Sequence, residues 1–126
     1  MKNPLPFVAA MLATFVASLA MAGEMPYDAQ RLDAAQRSGA PVAVVFHADW
    51  CPTCRAQDKA LQSLKTEKGL DITVLTVNYD TEKDLKRRFK INSQSTFVVL
   101  KGEKESARLV GDTSALNIMT ALKSAL

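Results

Sequence analysis

Val42-Ala43-Val44-Val45-Phe46-His47-Ala48-Asp49-Trp50-Cys51-Pro52-Thr53-Cys54-Arg55 is the stretch that decides how this chain folds. Val42 to Phe46 is a short, continuous, largely β-branched run bounded by Pro41, the pattern of a strand buried on both faces. Arg55 to Lys68 lacks β-branched crowding and places Cys54, Gln57, Leu61 and Leu64 on one face until Gly69. The spacing predicts a helix that begins at the cysteines and runs to Gly69. A central strand therefore feeds directly into a helix whose first turn carries both thiols of the chain.

That placement is chemically specific. At a helix start the backbone N–H groups lack intrahelical partners and the dipole is positive, so a thiol there is stabilised as thiolate. One helical turn brings a second cysteine, three residues on, within bridging distance. Pro52 sits in the first turn, where its missing N–H removes no bond and its fixed φ pre-forms the turn. Cys51 is accordingly expected to be the exposed attacking thiol, and Cys54, facing inward above Gln57 and Leu61, the shielded resolving thiol. A bridge that closes so small a loop removes little entropy from the unfolded chain, so it makes a poor structural staple. A four-ligand zinc site is excluded because no second cysteine pair exists. His47 keeps a different reading open: His47, Cys51 and Cys54 place three soft-metal ligands within eight residues, as a copper(I) or zinc binding or carrier module would need.

Outward from this segment, Tyr27 to Arg37 has helical spacing and stops at Ser38-Gly39-Ala40-Pro41. Asp71 to Val77 reads as a strand and Thr81 to Phe89 as a short charged helix. Thr96 to Leu100 and Ser106 to Val110 read as two antiparallel strands joined by a turn at Lys101-Gly102-Glu103-Lys104. Gly111-Asp112-Thr113 is expected to cap a final helix, with Ala115, Ile118, Met119, Leu122 and Leu126 on its inner stripe. The order αβαβαββα predicts an α/β domain: a central mixed four-stranded sheet flanked by four helices.

Composition agrees with one globular domain. The 126 residues are 48% hydrophobic and 23% charged, with two cysteines, five glycines and five prolines, which excludes collagen, low-complexity disorder and a multi-bridge disulfide scaffold. The net charge of +3 is too mild to imply a polyanionic partner. Lys83, Lys86, Arg87, Arg88 and Lys90 are interleaved with Glu82 and Asp84 and lack alternating aromatics, so they read as a solvated helix face and no nucleic acid is expected. Lys2 is followed by an uncharged run from Leu5 to Ala20, shorter than a spanning helix needs, and Ala20-Met21-Ala22 offers small residues for a signal peptidase. Residues 1–22 are therefore expected to be a signal peptide, cleaved after Ala22, and 23–126 the exported domain; an uncleaved anchor is the alternative. Export makes a persistent disulfide possible.

Phe46 to Arg55, together with the element order over Tyr27 to Leu126, resembles the thioredoxin-like superfamily across the whole expected domain. Trp50-Cys51-Pro52-Thr53-Cys54-Arg55-Ala56 is similar to the motif of the periplasmic thioredoxin-like reductases of cytochrome c maturation. Ala48-Asp49-Trp50-Cys51 resembles the periplasmic domain of the transmembrane protein that carries electrons outward from cytosolic thioredoxin. The resemblance implies a periplasmic thiol:disulfide oxidoreductase, a monomer without cofactor, which exchanges disulfides with protein cysteines in the reducing direction and is regenerated by a membrane electron donor. It further implies a substrate groove built by Trp50, Pro52, Ser95, Thr96 and Gly111. Two departures stand out. Many thioredoxins place a buried Asp and a Lys where this chain has Val45 and Thr76. Where they have a cis-proline, this chain has Ser95, for which a trans bond and a groove more open to other ligands are expected, since a non-proline cis bond costs about 3 kcal/mol.

Overall fold

The computed structural model describes residues 2–4 and 23–126; the expected signal peptide and its cleavage after Ala22 lie outside these residues, apart from positions 2–4. Strand β2 (Pro41–His47) is the axis of the fold. Its residues from Val42 to Phe46 are all buried, and they alternate between two cores. Val42, Val44 and Phe46 pack with Leu32 and Leu85, while Ala43 and Val45 pack with Ala60, Leu61, Ile118 and Leu122. This explains the unbroken apolar run, because a strand covered on both faces has no solvent side to mark.

Helix α1 (Ala29–Ser38), through Leu32, and helix α3 (Lys83–Phe89), through Leu85, cover the first face. Helix α2 (Pro52–Ser63) and helix α4 (Ala115–Lys123) cover the second. Strand β3 (Thr73–Asn78) runs parallel to β2, and strand β4 (Thr96–Lys101) antiparallel to it. Strand β5 (Lys104–Val110) closes the hairpin with β4, with a register shift between Val99 and Leu100. At the turn Gly102 has φ +59°, and a Cβ there would stand 3.1 Å from the Gly39 Cα, so only glycine lets the hairpin pack against the end of α1.

Among the described residues the sheet has five strands, in the order β1-β3-β2-β4-β5, one more than the four expected. The additional strand β1 (Glu24–Pro26) pairs parallel to β3. It carries almost no hydrophobic pattern, since Met25 alone packs inward, and it exists through edge pairing that ends with Tyr27 N–H bonded to the Thr76 carbonyl at 2.9 Å. Pro26 is tolerated because an edge strand leaves one row of N–H positions unused.

Two boundaries also moved. Helix α2 ends at Ser63, well short of Gly69. Residues 65–69 are all exposed, so continuing the helix would bury nothing, and Ser63 Oγ instead bonds the Ala60 carbonyl at 2.6 Å. The cap of α4 is Ser114, whose Oγ accepts from Asn117 N–H at 3.3 Å; Asp112 supports it by accepting from Ser114 N–H at 2.9 Å.

Candidate active site

Strand β2 ends at His47, and the turn Ala48 to Trp50 delivers Cys51 to the N-cap of α2. Cys51 has extended φ/ψ of −92° and 114°, and its Sγ accepts from the Cys54 N–H at 3.2 Å. The sulfur thus does what a serine or aspartate oxygen does at other helix starts, satisfying an orphan donor, and Pro52 follows in the first turn as expected. Both cysteines are free thiols, packed with Ala48 and the half-buried Tyr79.

Cys51 is only 2% exposed, which corrects the expectation of an open attacking thiol. The reason is the cap: its Sγ turns inward to meet the helix N–H groups and a hydroxyl behind them. That hydroxyl belongs to Ser95. Ser95 Oγ lies 3.1 Å from Cys51 Sγ and 3.0 Å from Cys54 Sγ, bridging the two thiols. Ser95 is 3% exposed, so it fills the space against the sulfurs instead of opening it, contrary to the sequence-based expectation. Its peptide bond is trans, as expected, there being no cis bond among the described residues.

The two thiols differ electrostatically. Burial pushes Cys51 up, but bonds with the Cys54 side chain, the Ser95 hydroxyl and the backbone N–H groups of Cys54 and Thr53 outweigh it, lowering Cys51 from 9.0 to about 7. Cys54 is raised, by burial first and then by its bond to Cys51, whose charge it opposes. The asymmetry assigns the thiolate to Cys51 and the proton to Cys54.

The other expected residues separate into those at the thiols and those beside them. Trp50, 58% exposed, stands next to Cys51 with Nε1–H donating to Asp80 Oδ2 at 2.9 Å. Thr96 is buried at the start of β4 and donates to the Ser93 carbonyl at 2.9 Å, so it shapes the loop without presenting its hydroxyl. Gly111, at φ +68°, sends its N–H to the Ser95 carbonyl at 2.9 Å and leaves open space where a Cβ would be. His47 does not join the cysteines. Its Nε2 pairs with Asp58 Oδ2 at 3.0 Å and its Nδ1 faces Asp49 Oδ1 at 3.6 Å. Among the described residues no three His, Cys, Asp or Glu side chains are grouped to hold a metal, which overturns the His47, Cys51, Cys54 metal reading.

One site residue was not singled out from sequence. Gln57, 1% exposed on the inner face of α2, donates from Nε2 to the Ser95 carbonyl at 3.0 Å and to the Asp112 carbonyl at 2.9 Å. The signal available was a polar residue on an otherwise apolar helix face, one turn beyond Cys54. Val45 and Thr76 lie side by side across β2 and β3, and Val45 is buried in the apolar core beneath α2, so no ionisable group occupies that place.

The thioredoxin family profile matches residues 27–124. A thioredoxin of Mycobacterium bovis is 34% identical over 74 residues, which cover 59% of this chain and 64% of that protein, so the chain spans under two thirds of that relative's length. The crystal structure of Trxlp from Edwardsiella tarda superimposes with a TM-score of 0.73 at 35% identity, over 79% of this chain and 98% of the other. The thioredoxin NaTrxh from Nicotiana alata shares the fold, with a TM-score of 0.69 at 19% identity.

Titrating the reduced protein by the ultraviolet absorbance of thiolate should give a first inflection near pH 7 that vanishes in Cys51→Ser, with Cys54 ionising only above the ordinary thiol range. The sign for stability follows. A thiol depressed from 9.0 to about 7 contributes folding stability that is fully present above pH 9 and is lost as pH falls through about 7.

Proposed function

Because the chain belongs to the thioredoxin family, we propose that it is an exported thiol:disulfide oxidoreductase that reduces disulfides in other proteins through Cys51 and Cys54. The observation that carries this reading is the pair itself: one thiol lowered to about 7 at a helix N-cap and a buried, protonated thiol one turn on. Cys51 thiolate attacks a substrate disulfide, and one substrate sulfur leaves with the electron pair of the broken S–S bond. Cys54 then attacks Cys51 Sγ, the Cys51–substrate bond breaks, and the second substrate sulfur leaves. Two electrons have passed to the substrate, and the enzyme holds a Cys51–Cys54 disulfide.

The reducing direction is supported by how far Cys51 is lowered. Strong oxidants of this chemistry stabilise their reduced form, with a nucleophile near ~3.5, whereas reductants keep it near ~7. Cys51, at about 7, belongs with the second group. Exposed Trp50 and the open space over Gly111 flank the buried thiols, and they supply the surface on which a protein substrate would settle.

Export rests on Lys2, the uncharged run from Leu5 to Ala20 and the Ala20-Met21-Ala22 site. In the periplasm a reductant needs its dithiol restored, so a membrane electron donor that itself presents a dithiol is the regenerating partner, and the domain works as a monomer.

Two outcomes test this. Expressed with its own leader, the protein recovered from the periplasm should begin at Gly23 on N-terminal sequencing; a membrane-bound protein retaining Met1 would contradict the cleaved form. In the same fraction Cys54→Ser should accumulate mixed disulfides with other proteins through Cys51, and Cys51→Ser should trap none. Equal trapping by both variants would remove the assignment of attacking and resolving thiols.

A further inference from the structure

The Ser95 backbone adopts φ +63°, a left-handed conformation uncommon for any residue but glycine and costly unless the surroundings enforce it. Here they do. Ser95 N–H donates to the Phe46 carbonyl at 2.8 Å, and the Ser95 carbonyl accepts from Gly111 N–H at 2.9 Å and from Gln57 Nε2 at 3.0 Å. Three bonds from three different segments hold one buried residue in an unfavoured conformation, and the consequence is that its hydroxyl is aimed between the two sulfurs.

A serine hydroxyl has one proton to give and lone pairs to receive. Placed 3.1 Å from Cys51 Sγ and 3.0 Å from Cys54 Sγ, it donates to whichever sulfur is a thiolate and accepts from whichever is a thiol. We propose that Ser95 is a catalytic residue of the pair, a proton relay that takes the proton of Cys54 as it attacks and passes its own to water. This deepens the oxidoreductase reading and rests on it.

The step balances as follows. Cys51 thiolate opens the substrate disulfide, and the first substrate thiolate takes a proton from water, in place of the one Cys51 had already shed. In the mixed disulfide the second substrate sulfur lies one S–S bond, about 2.0 Å, from Cys51 Sγ, on the side away from Cys54, because the attacking and leaving sulfurs stand in line. As Cys54 Sγ attacks Cys51 Sγ, its proton moves to Ser95 Oγ, the Ser95 hydroxyl proton passes to a water, and the leaving sulfur takes its proton from water. The Cys51–Cys54 bond forms, the Cys51–substrate bond breaks, and Ser95 ends as it began. Val45, packed in the apolar core beneath α2, places no ionisable side chain there to compete for the proton.

Charged groups on the surrounding segments have partners of their own. Asp58 and Asp49 face His47, Arg55 Nη1 bonds the Asp49 carbonyl at 3.1 Å, Asp80 holds Trp50, and Asp112 holds Ser114 N–H and Asn117 Nδ2. The side chains that shift Cys51 are Cys54 and Ser95, which agrees with the geometry.

Ser95→Gly separates chemistry from folding, because glycine adopts φ +63° freely and lacks only the hydroxyl. The reduced variant, titrated by thiolate absorbance with no substrate present, should show the Cys51 inflection raised by about one pH unit or more, as expected for losing a hydrogen bond to a charged group. Mixed with glutathione disulfide and quenched, it should hold the Cys51–glutathione mixed disulfide about tenfold longer than the wild type, read by mass spectrometry. An unmoved inflection, or a mixed disulfide resolved as fast as in the wild type, would overturn the relay. A wild-type protein that, treated with glutathione disulfide, ends with neither a mixed disulfide nor a Cys51–Cys54 disulfide would instead overturn the oxidoreductase reading and the relay with it, an outcome visible without the variant.

Discussion

The unpaired N–H groups at the first turn of α2 are the constraint on which the rest of this molecule depends. A helix start buried in a domain must have its donors satisfied, and here Cys51 Sγ satisfies the Cys54 N–H. Because the acceptor is a sulfur, the same bond that completes the helix stabilises a thiolate. The buried run Val42 to Phe46 of strand β2 is what fixes the position of that turn, since its alternating contacts with two cores leave it no freedom of register. Cap, reactivity and placement are therefore one arrangement.

A second arrangement grows from the first. A thiolate drawn inward needs more than backbone donors, and a buried thiol beside it needs somewhere for its proton to go. The chain meets both needs with the hydroxyl of Ser95, anchored by Gln57, Gly111 and the end of β2. A neutral hydroxyl suits this place better than a carboxylate would: a carboxylate buried beside a thiolate would repel it and raise the very group that must ionise. Val45 in the apolar core and Ser95 at the sulfurs are thus complementary parts of one solution.

The sequence made the strand, the helix and the cysteine pair legible because each obeys a local rule: a β-branched run, an apolar helical face, thiols at a helix start. It left β1 invisible, because a three-residue edge strand exists through pairing with β3 and has no periodicity of its own. It overextended α2, because Leu64 continues the apolar face while the residues after it meet no packing partner. At the site, proximity along the chain misled: His47 lies four residues before Cys51, yet it turns toward Asp58 on α2. The reverse happened at Ser95 and Gln57. Ser95 was noticed for the proline it replaces, but its contact with both sulfurs spans more than forty residues of sequence and depends on a backbone conformation that no composition rule announces.

The central claim is that the thiolate of Cys51 is stabilised enough to attack but not so much that the reduced form becomes the resting choice. Equilibrating the Cys51/Cys54 pair against glutathione buffers and reading the fraction of dithiol measures that balance directly. A reduction potential near ~−270 mV is the value predicted for a reductant of this kind. A potential near ~−120 mV would mean that the reduced pair is strongly favoured, and it would contradict the account.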